Sequence, residues 1–396
     1  MLRRHDIDAL RAIAFSLLIA YHLAMLYVFD WGWHLKSSYL SEFLQVPMLF
    51  VNRWRMDLIF LISGISAAIM LGKTTPGSFL RERSGRLLIP LVFGVLFIVP
   101  VQPYCQGVAN GLVEPGFTQF LGRYYTGYAW PPKAFDGWQT GYTWNHLWYL
   151  IYLWCYTALL VALQKPLATR MGQGLRNAFA QLRGWRLLVW PFAPLLVITV
   201  TLQLQYPQNN ALLNDWYAHA IYFTVFMYGY WLGTDKALWA ELARLRKEAL
   251  ALGLMAYALY ALTRTVFDDD SPPVTYLIVW SFRNLYIWAA LIAILGWGHT
   301  LLNRPFRWLP WATQAVYPWY ILHQSLIVLL AYWLVPLKLG PMVEPLLVGL
   351  GTVAGCWLIT SLLVSKTDWL RVCFGLKRLP DAAPNVARIS PPLVHR

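Results

Sequence analysis

Charge is scarce in this sequence. Asp, Glu, Lys and Arg make up 13% of the 396 residues while 58% are hydrophobic, and the mean hydropathy is +0.47. A soluble globular domain carries about 25% charged residues, so that class is excluded and a bilayer is implied. Negative charge is scarcer still, with 18 acidic against 32 basic residues and a net charge of +14. Cysteine is nearly missing: the four present, Cys105, Cys155, Cys356 and Cys373, are far apart. They offer neither a disulfide framework nor a metal-ligand spacing, so zinc and redox chemistry are not expected and no metal site is assigned. Internal repeats and long low-complexity segments are also missing.

What is present is aromatic and aliphatic. The 22 Trp, 23 Tyr and 19 Phe suit the two interfaces of a membrane, where rings with polar tips collect. Apolar stretches of span length number about ten: Ala9 to Val28, Val46 to Leu71, Leu87 to Tyr104, Trp144 to Leu163, Leu187 to Leu204, Ala218 to Leu232, Leu250 to Thr265, Val274 to Gly296, Ala315 to Val335 and Pro345 to Val364. The fifth and sixth are the weakest. Threaded from a cytoplasmic N-terminus, they place most Lys and Arg inside, including Arg81, Arg83 and Arg86, Lys236, Arg244 and Arg246, and the tail from Lys366. This positive-inside bias sets both termini in the cytoplasm and accounts for the basicity without nucleic acid. Asp268, Asp269 and Asp270 fall outside, as does the longest connection, Cys105 to Thr143. The apolar N-terminal run lacks a small-residue cleavage site and reads as a retained span. The expected fold is all-α: a polytopic integral membrane protein with a membrane domain over 1–365 and a cytoplasmic tail over 366–396.

Topology leaves some charges unexplained. Arg11, Arg53, Arg55 and Arg283 lie in or at the edge of spans, where a charge costs at least about 2.5 kcal/mol and marks a functional site by default. Arg11 and His22 are eleven residues apart, about 20° from three full helical turns, so both project from one helix face roughly 16 Å apart. Arg11 also reads as an anchor reaching for the interface. His22 reads either as a hydrogen-bonded buried imidazole or as a general base. In "NRWRMDLIFLISG", positions 52–64, Asp57 stands at the depth of His22 and either orients that ring or pairs with Arg53 one turn back. In "FLRERSGRLLIP", positions 79–90, Arg83 and Arg86 are helix neighbours; they read as topology charges or as a phosphate clamp.

Polar groups in aromatic settings mark two further stretches. "WNHLWYL", positions 144–150, holds His146, Trp148 and Tyr149, and "YPWYILHQ", positions 317–324, holds Pro318 and His323. Pro318 is expected to kink its helix, as around many membrane cavities. Both stretches read as a substrate tunnel or as helix-to-helix hydrogen bonding. The outer "YYTGYAWPPKAFDGWQTGY", positions 124–142, suits stacking on sugar rings and equally suits contact with lipid headgroups.

Taken in order, Arg11 with His22, "MDLIFLISG", "FLRERSGRLLIP" and "HLWYL" resemble membrane acyltransferase family three over residues 5 to about 335. "RMDLIFLISG" after Trp54 is most similar to the branch containing the glucan succinyltransferase of periplasmic glucan synthesis. The resemblance implies an enzyme of the bacterial inner membrane that takes an acyl group from cytoplasmic acyl-CoA, with no bound cofactor, to an extracytoplasmic or lipid-linked carbohydrate. It further implies His22 as catalytic base, Arg11, Arg83 and Arg86 as donor-binding groups, and Asp57 as the aspartate of the second-span motif. Ile59 departs from the family's aromatic at that place, and no soluble acyl-transfer domain is expected after the tenth span. Tyr149, Trp148 and His323 are candidate oxyanion stabilisers, and with His146 candidate substrate contacts. Two other classes stay open: a secondary transporter or sugar flippase, and an assembly protein. The oligomeric state is left open.

Overall fold

The computed structural model describes residues 4–267 and 272–379. It is 74% helical, and the described residues form no strand beyond an isolated bridge between Val28 and Ser41. The acidic run Asp268 to Asp270 and the tail beyond Leu379 lie outside the described residues.

In chain order the helices that matter are α1 (His5–Ala24), α2 (Gln45–Leu71), α3 (Pro76–Phe93), α4 (Val101–Ala109), α5 (Phe117–Tyr125), α6 (Trp148–Ala162), α7 (Trp185–Leu202), α8 (Trp216–Leu232), α9 (Arg246–Val266), α10 (Pro273–Leu302), α11 (Leu309–Leu334) and α12 (Val343–Leu358). Among the described residues eight stretches are long and apolar enough to cross a membrane, α3 and α4 counting as one because a π-turn at Gly94–Ile98 joins them. The fourth and sixth expected spans are shorter as regular helix: α6 has 15 residues, continued by helical turns at Asn145–Leu147 and Gln164–Ala168, and α8 has 17. Both are packed into the interior, with Leu150, Tyr152, Val225 and Phe226 fully buried. The expected third span starts earlier than Leu87. Thr75 caps α3 by accepting from the Ser78 amide, with Pro76 at the first helical position, so Arg83 and Arg86 sit on a helix that enters the bundle.

Small residues explain why α2 and α8 lie so close. A Cβ on Gly64 would stand 2.0 Å from the Phe226 carbonyl oxygen, and one on Gly229 would stand 2.0 Å from that of Leu61. Gly64 and Ala68 on α2 thus face Gly229 and Gly233 on α8, each a small residue four apart, and the backbones touch. The glycine of "LISG" is therefore a packing device, and it fixes the depth of the polar residues before it. Outward, α3, α7, α9 and α12 expose Val92, Val197, Leu254 and Leu350, as lipid-facing helices do. Pro318 sits inside α11, which runs through it from Leu309 to Leu334.

The connection between α4 and α6 builds a core of its own. Trp130 and Phe135 pack with Phe120 and Tyr124 and are turned inward, while Tyr125, Tyr128 and Tyr142 remain exposed. At the opposite end, the first part of the expected tail docks: Phe374 is buried against Phe93, and Gly375 lies under the Tyr317 ring. Arg4 and Leu376 line one cavity, so the first and last described segments meet at the same end of the bundle.

Candidate active site

Two cavities divide the polar residues. The larger, about 1150 Å³, lies at the end of the bundle where α1 begins and α2 finishes. Ligand sites usually enclose about 300–1,000 Å³, so it is roomy. Arg4, Arg11, Lys73, Arg83, Arg86 and Lys236 line it, with Asp8 as the carboxylate among its lining residues. The Arg11 guanidinium donates to the Ser66 hydroxyl at 2.6 Å and reaches Asp8 at 3.4 Å, so α2 holds it in place. Arg4 lies over the Trp239 ring at 3.8 Å, a cation–π contact that keeps its charge beside the opening. Arg83 is the least satisfied: its Nε and one terminal nitrogen are buried with no hydrogen-bond partner. A fork of unpaired donors beside Arg86 fits an anionic group with several oxygens, a phosphate above all.

The smaller cavity, about 160 Å³, lies deeper towards the other end, among His22, Asn52, Arg55, His146, Trp148, Gln208 and Tyr320. Phe15, Ile59 and Tyr149 line both cavities and form the wall between them. The Tyr149 hydroxyl is tied to Ser63 at 2.7 Å, so part of that wall is anchored.

His22 is held by another histidine. Its Nδ1 lies 2.8 Å from His323 Nε2, with the two ring planes 1° apart. His323 Nδ1 in turn lies 2.7 Å from the Tyr320 carbonyl oxygen and 3.1 Å from that of Trp319. A carbonyl only accepts, so His323 carries its proton on Nδ1 and presents a lone pair at Nε2. His22 must then donate from Nδ1, which leaves the His22 Nε2 lone pair free of any protein partner, on a half-buried ring lining the small cavity. This tautomer follows from the hydrogen-bond network.

The other expected site residues divide. Asp57 is buried on α2, but no hydrogen bond joins it to His22 or Arg53, and its Oδ1 has no partner. The orienting contact expected from Asp57 is made by His323, because the His22 Nδ1 hydrogen bond is taken there. His146 is near, its ring 5.1 Å from that of His323, yet its Nε2 is 3.1 Å from the Ile321 carbonyl oxygen and its Nδ1 is 3.4 Å from the Gln102 amide. His146 is thus fully engaged, and His323 has no N–H left for an oxyanion. Arg283 donates to Gln203 and to the Tyr217 hydroxyl, away from both cavities.

A buried polar chain links this region to the connection between α4 and α6. Gln102 accepts from Gln324, whose amide donates to His34 Nε2, and His34 Nδ1 lies 3.0 Å from Asp136. Burial pushes the Asp136 carboxyl up, but the hydrogen bond and charge of His34, helped by Gln106, hold it below the usual carboxylate range. Sequence reasoning did not single out His34 or Gln102, because their partners lie about 290 and 44 positions away and only folding unites them. The same holds for Arg55, flagged in the sequence only as a charge in a span.

The chain is 23% identical over 348 residues to a protein of Escherichia coli O139:H28 named "Glucans biosynthesis protein C", covering 84% of each chain. The protein of that name from Escherichia coli K12 matches with the same identity and coverage. No solved structure matches. A family model described as "Acyltransferase domain" matches residues 4–361, which takes in the smaller cavity, every lining residue of the larger one but Leu376, the His22–His323 pair and the α2–α8 crossing, and on this ground the chain belongs to the membrane acyltransferases of family three.

Proposed function

We propose that this membrane acyltransferase moves an acyl group from cytoplasmic acyl-CoA to a hydroxyl of an extracytoplasmic glycan; the relatives' name supports a glucan as acceptor, and the resemblance of "RMDLIFLISG" after Trp54 supports the finer form, succinyl to a periplasmic glucan. The observation that carries the reading is the single free lone pair on His22, set in a small cavity that shares a wall with a large cationic one. In the larger cavity Arg83 and Arg86 take the phosphates of the donor, with Arg11 lining the same cavity from α1. The slender pantetheine arm passes the Phe15, Ile59 and Tyr149 wall and brings the thioester to His22.

There the acceptor hydroxyl loses its proton to His22 Nε2 as its oxygen bonds to the thioester carbonyl carbon. The imidazolium that forms is stabilised through Nδ1 by the His323 lone pair, which the Tyr320 carbonyl fixes from behind. Collapse of the tetrahedral species breaks the carbon–sulfur bond, and the thiolate leaves with the proton from Nε2. The proton balance closes within the site. Asp57 keeps a place in the proposal only as a buried charge near the motif, and the other expected contacts, Trp148 and Tyr149, as walls of the acceptor side. Inner-membrane placement, with the larger cavity facing the cytoplasm, completes the reading.

The test uses purified protein in nanodiscs with acyl-labelled acyl-CoA and a soluble glucan. A labelled ester on the glucan with release of free CoA is expected. Vectorial uptake of sugar by liposomes with no covalent product would contradict the reading and favour transport.

A further inference from the structure

Proposed function leaves one charge unused. Arg55 lines the 160 Å³ cavity with His22, and its guanidinium carbon sits 3.7 Å over the Tyr21 ring. Tyr21 is itself fixed, since its hydroxyl accepts from Asn52 at 2.5 Å. Among the described residues Arg55 makes no ion pair, and its Nε is buried without a hydrogen-bond partner. No carboxylate lines this cavity. A cation desolvated against an aromatic face, with an unspent donor at Nε and no carboxylate in its cavity, is an arrangement for meeting negative charge that appears only during reaction.

We infer that Arg55 is a catalytic residue that stabilises the oxyanion of the acyl-transfer intermediate. As the hydroxyl oxygen bonds to the thioester carbon, the carbonyl π electrons move onto its oxygen, and Arg55 donates to that oxygen from the α2 side while His22 holds the proton on the α1 side. When the carbonyl re-forms, the C–S bond breaks, the negative charge passes from the oxygen at Arg55 to the departing sulfur, and that sulfur takes the proton from His22 Nε2. This assignment rests on the proposed acyl transfer at His22. It fits the exclusions above: His323 and His146 have both ring nitrogens engaged. The Tyr149 hydroxyl is shared with Ser63.

A carboxylate borne by the acyl group would also satisfy Arg55, and the experiment separates the two. Wild type, Arg55→Gln and Arg55→Lys are assayed with acetyl-CoA and succinyl-CoA in turn, with Arg53→Gln as a control that faces Tyr260 outside both cavities. The expected result is a fall in kcat of about 10²- to 10³-fold for Arg55→Gln with every donor that wild type uses, with donor KM nearly unchanged and partial rescue by Lys. Thermal unfolding of each variant separates loss of fold from loss of chemistry, since a merely structural role would lower the midpoint and would not split kcat from KM. A loss confined to succinyl-CoA with a raised KM would overturn the oxyanion role in favour of acyl recognition, and undiminished turnover in Arg55→Gln would overturn it outright. If wild type esterifies nothing from any acyl-CoA, it is the proposed function that fails.

Discussion

The two cavities hold their polar groups in opposite ways. In the larger, cations gather unevenly satisfied: Arg4 is paired with Asp6 and Arg11 with Ser66 and Asp8, while Arg83 has buried donors that no described residue satisfies. In the smaller, the histidines are hydrogen-bonded until one lone pair is left, on His22. Charge collected loosely binds anions of varied shape and tolerates the loss of one member. A proton held on a chosen nitrogen does chemistry, and it tolerates little. The comparison therefore predicts that damage to the small cavity appears in turnover and damage to the large one in affinity.

The largest effect is expected for His22→Ala: turnover should fall by about 10²- to 10⁴-fold, the usual contribution of a general base, while the donor still binds in equilibrium dialysis. His323→Ala comes next. Without its partner the His22 ring loses its fixed tautomer, and kcat should drop by about 10- to 100-fold, less than the whole contribution of the base. A His323→Ala enzyme with unaltered kcat would break the relay from Tyr320 to His22. Arg83→Ala should sharpen the other side of the contrast by raising the apparent Kd for acyl-CoA about tenfold or more, as loss of a charge-assisted hydrogen bond worth about 1.5–3 kcal/mol does, with kcat at saturation nearly unchanged.

The smallest effect concerns the outer loop. The Asp136 carboxyl is lowered on folding, so its contribution to stability is present above the unfolded carboxylate pKa and is lost as pH falls through the lower folded value. Thermal melts between pH 6 and the acid limit (~pH 3) should steepen for wild type and flatten for Asp136→Asn; equal acid slopes would remove the Asp136–His34 link from the account of the loop.

Periodic and compositional signals in the sequence carry most of the fold. Apolar runs of span length identify the lipid-facing helices, because a bilayer demands the same length and polarity of each. In α6 and α8 the apolar run serves a second purpose as well, since many of its side chains pack into the protein interior. On the site, Arg11 and His22 are readable from one helix by their spacing, and Arg83 and Arg86 from another. The pairing of His22 with His323 is invisible to such reasoning, since 301 positions separate them and any of several buried polar groups fits the role equally on paper. Asp57 was the nearer choice in sequence, but the contact is set by how α1 and α11 cross. The glycine of "LISG" likewise gives no hint of its neighbour until α8 is laid against it.

The claim on which the rest depends is that a donor bound in the large cavity reaches His22 past Ile59, which with Phe15 and Tyr149 lines both cavities. Ile59→Cys in a background with Cys105, Cys155, Cys356 and Cys373 replaced by Ser tests this directly, by exchange with CoA disulfide followed by mass spectrometry. A mixed disulfide between Cys at position 59 and CoA, weakened by Arg83→Ala, is the predicted result. Modification of a rim control at Lys73→Cys with none at position 59 would contradict it.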